Sequence, residues 1–341
     1  MATKKTVIVG AETLLGRELR DAAAATPFAR EMRLVDAGPE TGSVETTRRL
    51  TEESGEAFLL GALDADALAG ARVVFLAGSD FSSRKVVKIA GAQNPRPVLI
   101  DLTHALEDEA GARLHAPSVG GIQEANRDGV NVIAHPAAVA LALFLTRLRK
   151  AGELTRVVVE IFEPASERGQ SGITELQQQT VSLLSFKPLT KSIYDAQLSF
   201  NMLARFGEDA PQSLQSIEER IERHLASLLS HEAGAPMPSL RLIQAPVFHG
   251  YSISIWTEFR QNPGVQAIAE ALASAQIEVR VADEEPPTNV GVAGQSGLAV
   301  GAIEIDRNNP QACWFWGAAD NLRVAAEEAV MVARGILEKA E

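Results

Sequence analysis

The run NVIAHPAAVALALFL, residues 131–145, reads as a strand that ends in His-Pro and gives way to an apolar helix. At such a junction the first helical N–H groups have no intrahelical partner and can steady an anion, which suits a nucleophile. Here the positions are Ala137 and Ala138, and a methyl group has no lone pair to offer. Three other side chains could carry protons. His135 precedes Pro136, where the chain must be extended. His249 lies two residues before Tyr251, so on an extended strand the two would share a face. His135, His249 and Tyr251 are thus candidates to line one cleft with His104 nearby, unless each simply bonds locally or meets solvent. No pair has the spacing of helical metal ligands, so no metal is expected. The single thiol, Cys313, lies in QACWFWGAAD and reads as a buried hydrophobe on a strand.

A second candidate is the turn in KTVIVGAETLLGRELRDAAAA. Gly10 closes a strand and Gly16 sits on the following helix, as in a dinucleotide fingerprint, but Thr13 takes the middle position. Glu12 lies where an anion would approach. Asp36 ends the next strand, about where an acid binds a ribose, and would favour NAD over NADP. Gly10, Thr13, Leu14, Leu15, Gly16, Asp36 and Gly78 are the cofactor-contact candidates; the alternative is an ordinary tight turn.

The elements that would position these residues fall into two groups. Runs at MRLVD, ARVVFLAG, PRPVLIDLT and GVNVIAH are apolar on both faces and predict a parallel, doubly wound, Rossmann-like α/β sheet. After residue 150, TRVVVEIFEPAS, SLRLIQAPVF, YSISIWTEF, IEVRVA and SGLAVGAIEID alternate more and predict an antiparallel or mixed sheet. The helix SLQSIEERIERHLASLL reads as a solvated face, and DNLRVAAEEAVMVARGILEKA as an amphipathic closing helix. The expected domains are 1–135 with 320–341, and an inserted α+β domain over 136–319.

With 341 residues and 46% apolar content, the chain can bury two cores. Its net charge of −12 would repel a phosphate backbone, which argues against nucleic acid. One cysteine fits a reducing compartment, and neither a signal peptide nor a run of the ~20 apolar residues that span a bilayer is found. A cytoplasmic protein without membrane partners is the expectation.

Taken in order, VIVGAETLLGRE, VVFLAGSDFS, VLIDLTHALED, VIAHPAAVALAL, PASERGQSGITEL, SFNMLARFGED, APVFHGYSISI, PTNVGVAGQSGLAVGAIEIDRNNP and WGAADNLRVAAEEAV resemble the aspartate-semialdehyde dehydrogenase family over essentially the whole chain. The resemblance implies a homodimer built through the second domain's sheet. It also implies NAD(P)-dependent chemistry in which a cysteine thiolate attacks a carbonyl and a histidine moves the proton. This sequence departs at the reacting positions. The family's Asn-Pro-Asn-Cys is His135-Pro136-Ala137-Ala138, so Ala138 stands at the nucleophile. Tyr251 falls at the catalytic histidine, and Gln244 at the arginine that grips the substrate carboxylate. Leu102, Thr103, His104 and Glu107 replace Asn-Ser-Ser and a following arginine, with the charge reversed at Glu107. Pro39 and its neighbours replace the 2′-phosphate site, and Arg323 is followed by VAA instead of a Lys-Gly pair. Ser166-Glu167-Arg168-Gly169 replaces Ser-Gly-Ala-Gly; Glu167 and Arg168 would either intrude on the cleft or pair with each other on the surface. The reading is a family member without the covalent chemistry, kept for binding or assembly. The alternatives are an oxidoreductase that transfers hydride directly, with Tyr251 or His249 as proton donor, and a sensor whose vacated cleft binds a metabolite.

Overall fold

The computed structural model describes residues 6–38, 50–53, 56–121, 126, 129–230, 235–281 and 283–338. Two compact units divide the chain: Met1–Ala134 with Ala325–Glu341, and His135–Val324. The Pro39 position lies outside the described residues.

The first unit contains β1 (Thr6–Val9), α1 (Leu14–Ala23), β2 (Met32–Val35), β3 (Leu50–Glu53), β4 (Glu56–Leu59), α2 (Ala65–Leu68), β5 (Val73–Leu76), α3 (Asp80–Gly91), β6 (Val98–Asp101), β7 (Arg113–His115), α4 (Pro117–Gly120) and β8 (Val130–Ile133). Six strands form a sheet in the order β2-β1-β5-β6-β8-β7, every pairing parallel. β1, β5, β6 and β8 are buried along their whole length, as expected of mostly apolar strands covered on both faces; the polar exceptions are Thr6, Asp101 and Asn131. The hairpin β3–β4 and the edge strand β7 were not expected; β7 has three residues and too little apolar periodicity to be read from sequence.

The second unit contains α5 (Pro136–Leu148), β9 (Leu154–Glu163), α6 (Gly169–Leu184), α7 (Leu214–Leu229), β10 (Ser239–Gln244), β11 (Tyr251–Phe259), α8 (Val265–Leu272), β12 (Ile277–Val279), β13 (Leu298–Ile305) and β14 (Ala312–Ala319). Its sheet runs β10-β9-β11-β14-β13-β12. The sheet is mixed rather than antiparallel throughout, because β10–β9 and β12–β13 are parallel while β9–β11, β11–β14 and β13–β14 are antiparallel. β11 alternates buried and half-buried at every residue, so one face of the sheet is covered and the other open. α5 begins with Pro136 at its first position, where the missing N–H costs nothing, and is buried on all sides from Pro136 to Leu145. It packs on α7 and α8, and its Phe144 meets Phe315 of β14 edge to face.

The final helix, α9 (Asn321–Glu338), supplies Ala326, Ala329, Val330, Ala333 and Ile336 to the first unit's core beside Ile8, Phe75 and Ile100. On it Glu328 is almost fully buried and accepts the backbone N–H of Ser118 at 3.1 Å. Burial pushes its carboxyl up to about 7, against the opposing hydrogen bonding from Ser118. The folded state therefore holds a proton that the unfolded chain releases near 4.5, so stability falls as pH rises between those values and levels off above. Glu328→Gln keeps the acceptor without the charge. It is expected to be more stable than the parent at pH 8 by roughly 3 kcal/mol, with little difference at pH 4. Urea midpoints at the two pH values check this; equal midpoints at pH 8 would refute it.

Candidate functional site

The site is built in the second unit where β9 ends. Pro164, in an extended conformation, stops the strand, and residues Ala165–Arg168 form one 3-10 turn before Gly169, at φ +61°, opens α6. Two backbone bonds anchor this turn, from Ala165 N–H to the Val247 carbonyl at 2.8 Å and from Ser166 N–H to that of Phe248 at 2.9 Å. The turn thereby brings Glu167 and Arg168 to different partners.

Glu167 Oε1 accepts the Tyr251 hydroxyl at 2.5 Å and the Asn321 carboxamide N–H at 2.8 Å. Asn321 is itself fixed, since its Oδ1 accepts from Ser166 Oγ at 3.1 Å and from the Gly250 amide at 3.3 Å. The other carboxylate oxygen of Glu167 lies 3.9 Å from His135 Nε2, and the His135 and Tyr251 rings are 6.5 Å apart. His135 Nδ1 accepts the Ala137 amide at 3.3 Å, capping α5, so a neutral His135 carries its proton on the nitrogen that faces Glu167. The backbone N–H of His135 donates to His224 Nδ1 at 2.9 Å. Ala138 is fully buried beside this cap.

Arg168 has different hydrogen-bond partners. Its Nη2 donates to Glu163 Oε1 at 3.0 Å, and its Nη1 to Gln212 Oε1. Glu163 is completely buried, and burial pushes its carboxyl up to about 7 although Arg168 pulls it down. Burial, reinforced by Glu167 and Glu163, holds the Tyr251 phenol well above its ordinary range. Tyr251 is consequently a proton donor in a closed bond and no base near neutral pH. Gln244, in register with Glu163, is buried and spends its N–H groups on the carbonyls of Glu163 and Ala245, so it is not presented as a carboxylate grip.

Several expectations are corrected. Glu167 and Arg168 do not form an exposed surface pair: Glu167 bonds Tyr251 and Asn321, Arg168 bonds buried Glu163, and all of these groups stay within electrostatic reach of one another. His249 does not share a strand face with Tyr251. β11 begins at Tyr251, and Gly250 at φ +77° breaks the alternation between them. His104 lies in the first unit, at φ +61° in a turn held by Asp101, which accepts from Thr103 N, Thr103 Oγ1 and Leu106 N; Leu102 and Glu107 flank that turn. The α7 helix is not merely a solvated face: His224 is buried with Ile217, Ile221, Leu225 and Leu229. Its place on that i, i+3, i+4 stripe was readable from spacing, whereas Glu163 and Asn321 carried no local mark. Cys313 pairs in register with Thr257, six residues along β11 from Tyr251, hence about 20 Å from the site. Burial pushes its thiol up.

In the first unit the glycines serve packing. A Cβ on Gly10, at φ +86°, would lie 2.4 Å from Gly78 Cα, one on Gly16 would lie 2.0 Å from the Gly10 carbonyl, and one on Gly78 2.5 Å from Ser82 Oγ. Thr13 caps α1, accepting the Gly16 amide at 2.9 Å and donating to the Ala77 carbonyl at 2.7 Å. Leu14 and Leu15 open the helix. Glu12 accepts the Ala37 amide at 3.0 Å, and Asp36 that of Gly38 at 2.7 Å. The Gly16 amide is committed to Thr13 and Glu12 spans the turn, which makes a tight strand-to-helix connection. Among the described residues no group of three or more His, Cys, Asp or Glu could hold a metal, and no helix is long and apolar enough to cross a membrane.

A parallel Rossmann-like sheet in one unit and a mixed α+β sheet in the other define a dehydrogenase-like architecture. Residues 145–324 match the family model of the semialdehyde dehydrogenase dimerisation domain, and the chain belongs to that family. It is 29% identical over 252 residues to a USG-1 protein homolog of Pseudomonas aeruginosa, covering 72% of this chain and 74% of that one. It is 28% identical over 214 residues to the aspartate-semialdehyde dehydrogenase of Rickettsia bellii, covering 61% and 62%. The solved structure of a probable aspartate-semialdehyde dehydrogenase from Pseudomonas aeruginosa shares the fold, with a TM-score of 0.80 at 24% identity over 98% of this chain and 99% of that one.

Proposed function

We propose that this chain is a non-catalytic member of the semialdehyde dehydrogenase family, kept as a binding or assembly protein and self-associating through its second unit. One observation carries the reading. At the family's nucleophile position stands the buried methyl of Ala138, and the neighbouring Glu167 is closed onto Tyr251 and Asn321. A thioester needs a thiolate, and a base at the histidine position needs an accessible lone pair. Neither is offered. The open face of the mixed sheet, with Val158, Phe162, Trp256, Trp314 and Trp316, supports self-association of the unit.

The test is turnover of aspartate semialdehyde with phosphate and NAD or NADP. The parent is expected to show no rate above background. Ala138→Cys alone is expected to stay inactive, because Tyr251 remains locked to Glu167. Turnover by the parent protein would overturn the proposal.

A further inference from the structure

In the second unit a cavity of about 650 Å³ opens between α7, the chain just before it and the edge strand β10. That volume lies in the range of small-molecule sites. The cavity is lined by a different stripe of α7 from the buried one that carries Ile217, Ile221 and His224. Gln215, Glu218, Glu219 and Glu222 recur at i, i+3, i+4 and i+7, so they give the cavity one continuous polar wall. Glu208 adds a fourth carboxylate, and Arg205 and Arg241 are the two cations among the lining residues. Arg241 lies 3.9 Å from Glu218, which also accepts the Leu242 amide at 2.5 Å. Four carboxylates against two guanidinium groups leave the wall with an excess of two negative charges, in a chain whose net charge is already −12. Its field attracts cations.

The inner wall separates this cavity from atoms that lack partners. Gln212 accepts from Arg168, Phe206 stacks edge to face on Tyr194 at 5.4 Å, and Leu242 lies two residues from Gln244 on the same face of β10. Behind these three wall residues, Glu163 Oε2, Gln244 Oε1, Tyr194 Oη and Arg168 Nε have no hydrogen-bond partner among the described residues. Glu163, Gln244 and Tyr194 are fully buried, and the Arg168 side chain is 9% exposed. The Gln244 amide cannot turn over to relieve its oxygen, because its N–H groups hold the carbonyls of Glu163 and Ala245. Glu163 Oε2 and Gln244 Oε1 can only accept, Tyr194 Oη can do either, and Arg168 Nε alone must donate. An occupant rich in N–H donors and carrying positive charge suits both the acidic wall and most of the atoms behind it. An anion suits neither.

We propose that this cavity binds a linear di- or polyamine. Glu218 and Glu222 are separated by about 6 Å of helix rise, a spacing that ammonium groups on a four-carbon chain can match. Phe206, Leu214 and Leu242 offer apolar surface to the methylenes between them. Amine binding here is separate from the loss of catalysis proposed above and does not depend on it.

Calorimetric titration of the full chain with spermidine tests this, at about 0.15 M salt, where exposed charges more than about 8 Å apart are screened. Saturable binding is expected, and it should be at least 10-fold weaker in Glu208→Gln with Glu222→Gln, which keeps the side-chain shapes and removes two charges from the wall. Asp283→Asn with Glu285→Gln makes the same change in net charge at exposed positions outside the cavity, and is expected to bind as the parent does. Equal weakening in the two variants, or displacement of spermidine by an equal concentration of Mg²⁺, would reduce the effect to the charge of the whole molecule and overturn the site. A parent that shows no saturable binding at millimolar spermidine would overturn it too.

Discussion

Arg168→Ala is expected to destabilise the second unit by about 3–5 kcal/mol, the range for removing one partner of a buried ion pair. The guanidinium is the partner that lowers the Glu163 carboxyl, and Glu163 is fully buried. Without it the carboxylate has no counter-charge and must take up a proton. Already in the parent, Glu163 titrates at about 7, above its unfolded value of 4.5. The folded state thus binds the extra proton between those values, and stability falls as pH rises across that window. In the variant the folded value moves higher still, so the fall continues past pH 7. The loss should therefore be larger at pH 8 than at pH 5. The site has little slack to absorb the change, because Glu163 Oε2, Arg168 Nε and Tyr194 Oη already lack hydrogen-bond partners among the described residues. Glu163→Gln combined with Arg168→Met removes both charges and should recover most of the stability. Urea denaturation of the three proteins at both pH values decides the matter; an Arg168→Ala midpoint equal to the parent's would show that the pair is not the strut described.

Gly10→Ala is the second large effect, in the first unit. The substitution forces a Cβ to within 2.4 Å of the Gly78 Cα and N atoms, and both are backbone that cannot rotate away. It also puts an alanine at φ +86°. Left-handed strain of roughly 1–2 kcal/mol and overpacking of about 1–3 kcal/mol together predict a loss near 3–4 kcal/mol. Because the close approach is between backbones, the loss should appear with no nicotinamide in solution. A variant with parental thermal stability that differed only in NADH binding would contradict the packing account of this turn and restore the dinucleotide reading.

Much of the architecture was legible because periodicity is local. Apolar runs such as VVFL and VLI fit strands covered on both faces, and the alternation of YSISIWTEF fits a strand covered on one. The chemistry open to position 138 was equally plain, since an alanine methyl has no lone pair in any fold. The sequence by itself thus determined the two sheet types and the family. Tertiary structure alone decided where the charged residues of Ser166-Glu167-Arg168 go. Glu167 meets Tyr251 and Asn321 from 84 and 154 residues away, while Arg168 turns back to Glu163 on the preceding strand. Nothing in the spacing of those residues fixes such pairings. A single 3-10 turn, anchored by two backbone bonds to a distant loop, gives adjacent side chains different hydrogen-bond partners, and only the folded chain brings that loop into place.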